Sequence, residues 1–111
     1  MNQDLIEKII KFRDERNWDQ FHNPKDLAIS ISLEAAELLE IFQWSGADLE
    51  KIDKLDNMKE ELADVLIYSI LLAEKLNLDI SEIIEHKLNK NGEKYQKDKA
   101  YGTSKKYTEL R

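Results

Sequence analysis

The chain has 111 residues, 41% of them apolar and 36% charged. That is the length of one domain, and a composition too apolar for a disordered chain. Three Gly and one Pro supply too few turns for a β-sandwich or barrel, and the lack of Cys excludes disulfides and thiolate chemistry and fits a reducing, cytoplasmic setting. The net charge of −6 speaks against a nucleic-acid partner. It divides into +3 over residues 92–111, where five Lys and Arg111 face Glu93, Asp98 and Glu109, and so −9 over residues 1–91. An acidic body with a basic tail could place divalent cations beside a phosphate-rich ligand; the alternative is a plain solvated tail. Asn2, Gln3 and Asp4 carry no basic run of a secretory leader. Residues 62–73 are the longest apolar-rich run, too short for a bilayer and interrupted by Asp64, so no membrane partner is expected.

Four helical segments follow in chain order. Residues 3–16 place Leu5, Ile6, Ile9 and Ile10 on one helical face. Asn23 before Pro24 predicts the second start, an N-cap followed by a residue that needs no N–H; this helix is expected to run to Phe42 or Trp44, before Gly46. The third spans 55–76. Asp79, three residues before Glu82, predicts the start of the fourth, and Gly92 its stop. A polar tail with Tyr95, Tyr101 and Tyr107 completes the chain. Short connections predict an all-α, antiparallel four-helix bundle-like protomer.

The second and third helices are apolar on nearly every face; ten of the twelve residues in 62–73 are apolar, counting Tyr68. Such helices need cover on all sides, and a chain this short has little to offer. A homo-oligomer with a shared helical core is therefore expected.

Inside these same helices sit Glu34 and Glu37, and Glu61 and Asp64. Each i, i+3 pair shares a helix face, about 5–6 Å apart at Cβ. Like charges so placed repel, and burying them unpaired is costly. Between Pro24 and Lys51 the sole cation is Lys25, so no local salt bridge relieves Glu34 and Glu37. Four carboxylates from two antiparallel helices would form an all-oxygen site suited to Mg²⁺ or Mn²⁺, with Ala35, Ala36 and Ala63 small enough to leave room. The alternative is a solvated acidic stripe, the expected fate of Glu40, Glu50 and Glu60. A di-iron bundle would need Glu-x-x-His, but Asp19 precedes His22 and Ile83 precedes His86 at that spacing. No Ser-centred elbow and no Gly-rich phosphate loop is present.

Four blocks then resemble a known family: Arg16-Asn17-Trp18-Asp19-Gln20-Phe21-His22-Asn23-Pro24; Glu34-Ala35-Ala36-Glu37-Leu38 running on to Phe42-Gln43-Trp44; Glu61-Leu62-Ala63-Asp64-Val65-Leu66-Ile67-Tyr68; and residues 87–95 with Ser104-Lys105-Lys106-Tyr107-Thr108-Glu109-Leu110. In this order and spacing they resemble the MazG-like, all-α nucleoside triphosphate pyrophosphohydrolases, nearest the dCTP pyrophosphatase branch. The resemblance implies a single domain over residues 1–111, assembled as a dimer or a dimer of dimers. It implies hydrolysis of a deoxynucleoside triphosphate, dCTP or a modified dCTP, to the monophosphate and pyrophosphate, in keeping the nucleotide pool clean. Glu34, Glu37, Glu61 and Asp64 would hold Mg²⁺, with Mn²⁺ as a substitute. A metal-activated water would attack the α-phosphorus, with Glu34 or Glu37 accepting its proton. Trp18, Asp19, Gln20, Phe21 and His22, with Trp44 and Tyr68, would form the nucleotide pocket. Asn91 and Tyr95 would lie near the ligand, around a subunit boundary. Lys87 and Lys94 are candidates for the outer phosphates, as are Lys90, Lys105 and Lys106. Leu33 stands where the wider family often has a further Glu, an absence shared by the dCTP pyrophosphatase branch. Ile9 stands where eukaryotic members carry a His near the base. Competing readings are a non-catalytic nucleotide sensor or interaction module, and a pyrophosphohydrolase with another base preference, such as dUTP.

Overall fold

The computed structural model describes residues 2–110. Their regular structure is entirely helical, without strands: α1 (Gln3–Glu15), α2 (Pro24–Glu40), α3 (Leu55–Lys75), α4 (Ile80–Lys94) and a short α5 (Lys97–Ala100), with 3₁₀ turns at Asp19–Phe21, Ile52–Lys54 and Tyr107–Glu109. The four expected helices are present within a residue or two, apart from the ends of α2 and α4. Residues 2–78 and 79–110 form two compact units.

The helix starts follow their capping residues. Asn23 Oδ1 accepts from the Asp26 N–H at 2.9 Å, while its Nδ2 donates to Asp26 Oδ2 at 2.7 Å. Asp79 Oδ1 accepts from the Glu82 N–H at 3.0 Å, as its spacing predicts. The helix ends depend on asparagine. Asn17 and Asn77 adopt left-handed φ values of 54° and 55°. Beyond them the Trp18 N–H donates to the Arg13 carbonyl at 3.1 Å and the Leu78 N–H to the Ala73 carbonyl at 2.8 Å. These are Schellman closures with Asn where Gly is commonest.

Two expected stops differ. α2 ends at Glu40, not at 42–44, because its last turn tightens: the N–H groups of Ile41, Phe42 and Gln43 each donate three residues back, and Trp44 then turns left-handed at φ 65°. Gly92 does not stop α4, which continues to Lys94. Its backbone stays out of the left-handed region, so the freedom that makes Gly a terminator goes unused there.

In the first unit α2 lies along α3. A recess shared by Glu37, Glu40 and Ile41 near the end of α2 and Lys54, Asn57 and Glu61 near the start of α3 fixes the pair as antiparallel. The core is small: Leu27 of α2, 1% exposed, with Ile70, Leu71 and Ala73 of α3. Leu27→Ala would cost about 2–5 kcal/mol. Much of the remaining apolar surface is uncovered, as the all-round apolar pattern predicts: Leu33 is 61% exposed and Leu39 71%, and Ile29, Leu62 and Leu66 are also exposed. In the second unit the tail has local structure of its own. Tyr95 meets Tyr107 edge to face at 6.0 Å, and the Lys94 ammonium lies 4.8 Å from the Tyr107 ring centre.

Candidate active site

The α2–α3 pairing brings the acids together. One carboxylate oxygen each from Glu34, Glu61 and Asp64 lie within 4.8 Å of one another. Glu37, one turn beyond Glu34, interacts with both Glu34 and Glu61. Glu34 Oε2 and Glu61 Oε2 are buried with no hydrogen-bond partner. The chain bears the electrostatic cost directly. Burial first, then Glu37 and the charges of Asp64 and Glu61, push the Glu34 carboxyl from its ordinary 4.5 to about 7. Glu61 is raised as well, first by its hydrogen bonding with Glu37 and then by burial. Clustered carboxylates, two of them with an orphaned buried oxygen and none in an ion pair among the described residues, fit a hard divalent ion bound by oxygen alone. Glu40, Glu50 and Glu60 are exposed, as expected.

Beside the acids lies a cavity of about 370 Å³, within the range typical of small-molecule sites. α1 contributes Lys8, Ile9, Phe12 and Arg13; the turn after it contributes Trp18 and His22; α3 contributes Asp64, Ile67, Tyr68 and Leu71. Asp64 therefore belongs to both the acid cluster and the cavity. The Schellman closure at Asn17 turns the chain so that Trp18 meets Phe12 edge to face at 5.8 Å, while the Arg16 guanidinium stacks 3.6 Å from the centre of the Phe12 ring. His22 Nδ1 is buried and unpartnered, and burial lowers the imidazole pKa, leaving it neutral at pH 7.

Among the residues singled out in the sequence, Trp18, His22, Asp64 and Tyr68 line this cavity, whereas Gln20, Phe21 and Trp44 do not. The Gln20 amide donates to the Asn17 carbonyl at 3.0 Å. Phe21 is exposed, and Trp44 is 92% exposed. The Asp19 carboxylate accepts from Lys75 Nζ at 3.0 Å and pairs with Arg13 at 3.4 Å. Lys87, Asn91 and Lys94 fall on one face of α4, and Tyr95 caps it; all belong to the second unit. The walls from Phe12, Arg13, Ile67 and Leu71 were not singled out in the sequence, nor were Lys54 and Asn57 in the recess by Glu37 and Glu61. Phe12 and Arg13 continue the face of Ile9 at i+3 and i+4, a signal open to reading.

The MazG-like family model matches residues 29–110, which include the four acids. The chain belongs to the MazG-like family. It is 33% identical to dCTP pyrophosphatase 1 of Rattus norvegicus and 34% identical to that of Homo sapiens, in each case over 97% of this chain and 66% of the relative. The chain thus spans just under two thirds of the length of these curated relatives. A solved structure, a pyrophosphatase from Archaeoglobus fulgidus DSM 4304, is similar with a TM-score of 0.77 and 42% identity, covering 85% of this chain and 91% of that one. No helix among the described residues is long and apolar enough to cross a membrane.

Proposed function

We propose that this chain is a Mg²⁺-dependent nucleoside triphosphate pyrophosphohydrolase that converts a deoxynucleoside triphosphate, dCTP or a modified dCTP, to the monophosphate and pyrophosphate. The observation that carries this reading is one juxtaposition: the carboxylates of Glu34 and Glu61, each with an orphaned buried oxygen, gather with that of Asp64, and Asp64 also walls an aromatic cavity. Family membership and the names of the similar proteins support the same reaction class.

Glu34, Glu37, Glu61 and Asp64 would hold the ion. Once bound, it offsets the charge of the triphosphate and lowers the pKa of a water. The protein's own residues do the rest. Trp18 offers its ring to a base, and Tyr68 and the neutral His22 offer polar atoms to base or sugar. The raised pKa of Glu34 suits it to accept a proton near neutral pH; Glu37, one turn along, is the alternative acceptor. By the family resemblance, Lys87 and Lys94 are candidates for the outer phosphates, and Asn91 and Tyr95 lie near the ligand, around a subunit boundary. The exposed apolar faces of α2 and α3, with Trp44 in the turn beyond α2, support a homo-oligomer, a dimer or a dimer of dimers, whose second copy covers them. The setting is the cytoplasmic nucleotide pool.

The test is a pyrophosphate-release panel over all canonical and 5-substituted dNTPs and NTPs, with Mg²⁺, Mn²⁺ or chelator. The expected result is release that requires the cation and is fastest with dCTP or a 5-substituted dCTP. Preference for dUTP would move the assignment to another base. Binding of a non-hydrolysable dCTP analogue with no release from any nucleotide would make the chain a nucleotide sensor and overturn the enzyme.

A further inference from the structure

The cavity has three walls, and they are not equally secured. α2 and α3 lie against each other extensively, whereas α1 touches α3 far less. The turn carrying Trp18 and His22 stands between α1 and α2 in sequence, but its side chains face α1 and α3 across the cavity. Something must hold this turn in register with both helices.

Asp19 is placed to do so. Its carboxylate accepts from Lys75 Nζ at 3.0 Å, at the last residue of α3 and 56 positions away, and lies 3.4 Å from Arg13 Nη1 on α1. Every other ion pair among the described residues joins side chains three positions apart or fewer. Arg13 is the buried charged residue of the first unit, and its guanidinium also holds Asp14 at 2.8 Å. Two cations and two carboxylates thus form a neutral set, so Arg13 can line an apolar cavity without leaving a buried charge uncompensated. The turn itself is stiff: the Phe21 N–H donates to the Trp18 carbonyl at 2.9 Å and the His22 N–H to the Asp19 carbonyl at 3.0 Å. Fixing Asp19 therefore fixes Trp18 on one side and His22 on the other.

We propose that Asp19 is a positioning residue: it straps the turn bearing Trp18 and His22 to α1 through Arg13 and to α3 through Lys75, and so sets the width of the cavity that takes the nucleoside. This rests on the function proposed above, and it gives Asp19 a role other than touching the substrate. A half-exposed ion pair adds little to overall stability. Its value here is geometric, because the charge-assisted hydrogen bond from Lys75 and the ion pair with Arg13 hold one arrangement of the wall before ligand arrives. Without the strap, the cost of ordering the wall falls on binding. The acids of the metal cluster are untouched, so the chemical step is not.

The experiment compares Asp19→Asn, Lys75→Met, the double variant and the conservative Lys75→Arg with the wild-type chain. KM and kcat for the best triphosphate are read by pyrophosphate release, and Mn²⁺ affinity by calorimetry. Each single variant is expected to raise KM about 10-fold, the scale of ordering one or two side chains on binding, with kcat and Mn²⁺ affinity little changed. The double variant should be no worse than either single, and Lys75→Arg should retain the wild-type KM. If Asp19→Asn raises KM while Lys75→Met does not, Asp19 acts on the substrate directly and the strap is overturned. It is equally overturned if the two effects multiply, or if kcat and the melting temperature fall with KM unmoved. Wild-type chain that hydrolyses nothing would sink the proposed function separately. The strap would then be judged by the affinity of the same variants for a non-hydrolysable dCTP analogue, and absent or unchanged binding overturns it.

Discussion

Two groups of acids in the first unit invite comparison. Asp14 and Asp19 face Arg13 and Lys75 at 2.8 to 3.4 Å, and the hydrogen bond from Lys75 holds the Asp19 carboxyl below its usual range. Glu34, Glu37, Glu61 and Asp64 face one another, and the carboxyls of Glu34 and Glu61 are raised. The same functional group thus does opposite things according to what lies opposite it. Where cations answer the carboxylates, the acids position structure; where only other carboxylates answer, the fold holds an electrostatic debt that an added ion can settle.

The sharpest way to break this contrast is to remove one uncompensated acid. Asp64→Asn, or Glu37→Gln, should reduce pyrophosphate release by about 10²-fold while circular dichroism and melting temperature hold. A variant with full activity would make the cluster an ordinary acidic surface. Next in size is the loss of the aromatic wall. Trp18→Ala should raise KM roughly 10-fold or more, since stacking contributes about 1–3 kcal/mol per base; an unchanged KM in a steady-state titration would remove Trp18 from base recognition. The smallest effect is on stability. Because the folded chain keeps the Glu34 proton up to about pH 7 and the unfolded chain loses it near 4.5, the cation-free fold should be most stable below pH 4.5 with respect to this group. It should lose that contribution as pH rises through 7. A melting series from pH 5 to 8 in chelator should show a fall of roughly 5 °C. Glu34→Gln should flatten the series, and Mg²⁺ or Mn²⁺ should reverse it. A flat wild-type profile would mean that Glu34 titrates like a surface acid.

The same contrast explains what the sequence disclosed. The carboxylate pairs were legible because like charges at i, i+3 on an apolar helix repel, and Glu34 and Glu37, with Lys25 the sole cation between Pro24 and Lys51, have no local remedy. The starts of α2 and α4 were legible because Asn23 and Asp79 act on N–H groups three residues away. Helix ends were read less well. Gly92 carries the usual signal without the conformation, whereas Asn17 and Asn77 carry the conformation under a weaker signal. The Asp19–Lys75 bond was out of reach of any local pattern, since its partners meet only after α2 and α3 have folded. Phe12 and Arg13 were masked by the stronger apolar run of Leu5, Ile6, Ile9 and Ile10. The tail gave its three tyrosines but not the pairing of Tyr95 with Tyr107, which depends on the chain turning back after α5.

The two indoles have unlike surroundings. Trp18, 44% exposed, meets Phe12 edge to face at the cavity, and Trp44, 92% exposed, lies four residues beyond the end of α2. Intrinsic fluorescence should therefore have two separable components, a solvated red-shifted emitter and a second one sensitive to whatever stacks in the cavity. Replacing either indole with Phe isolates the other, so a single unlabelled sample can register ligand entry through Trp18 and the covering of α2 through Trp44.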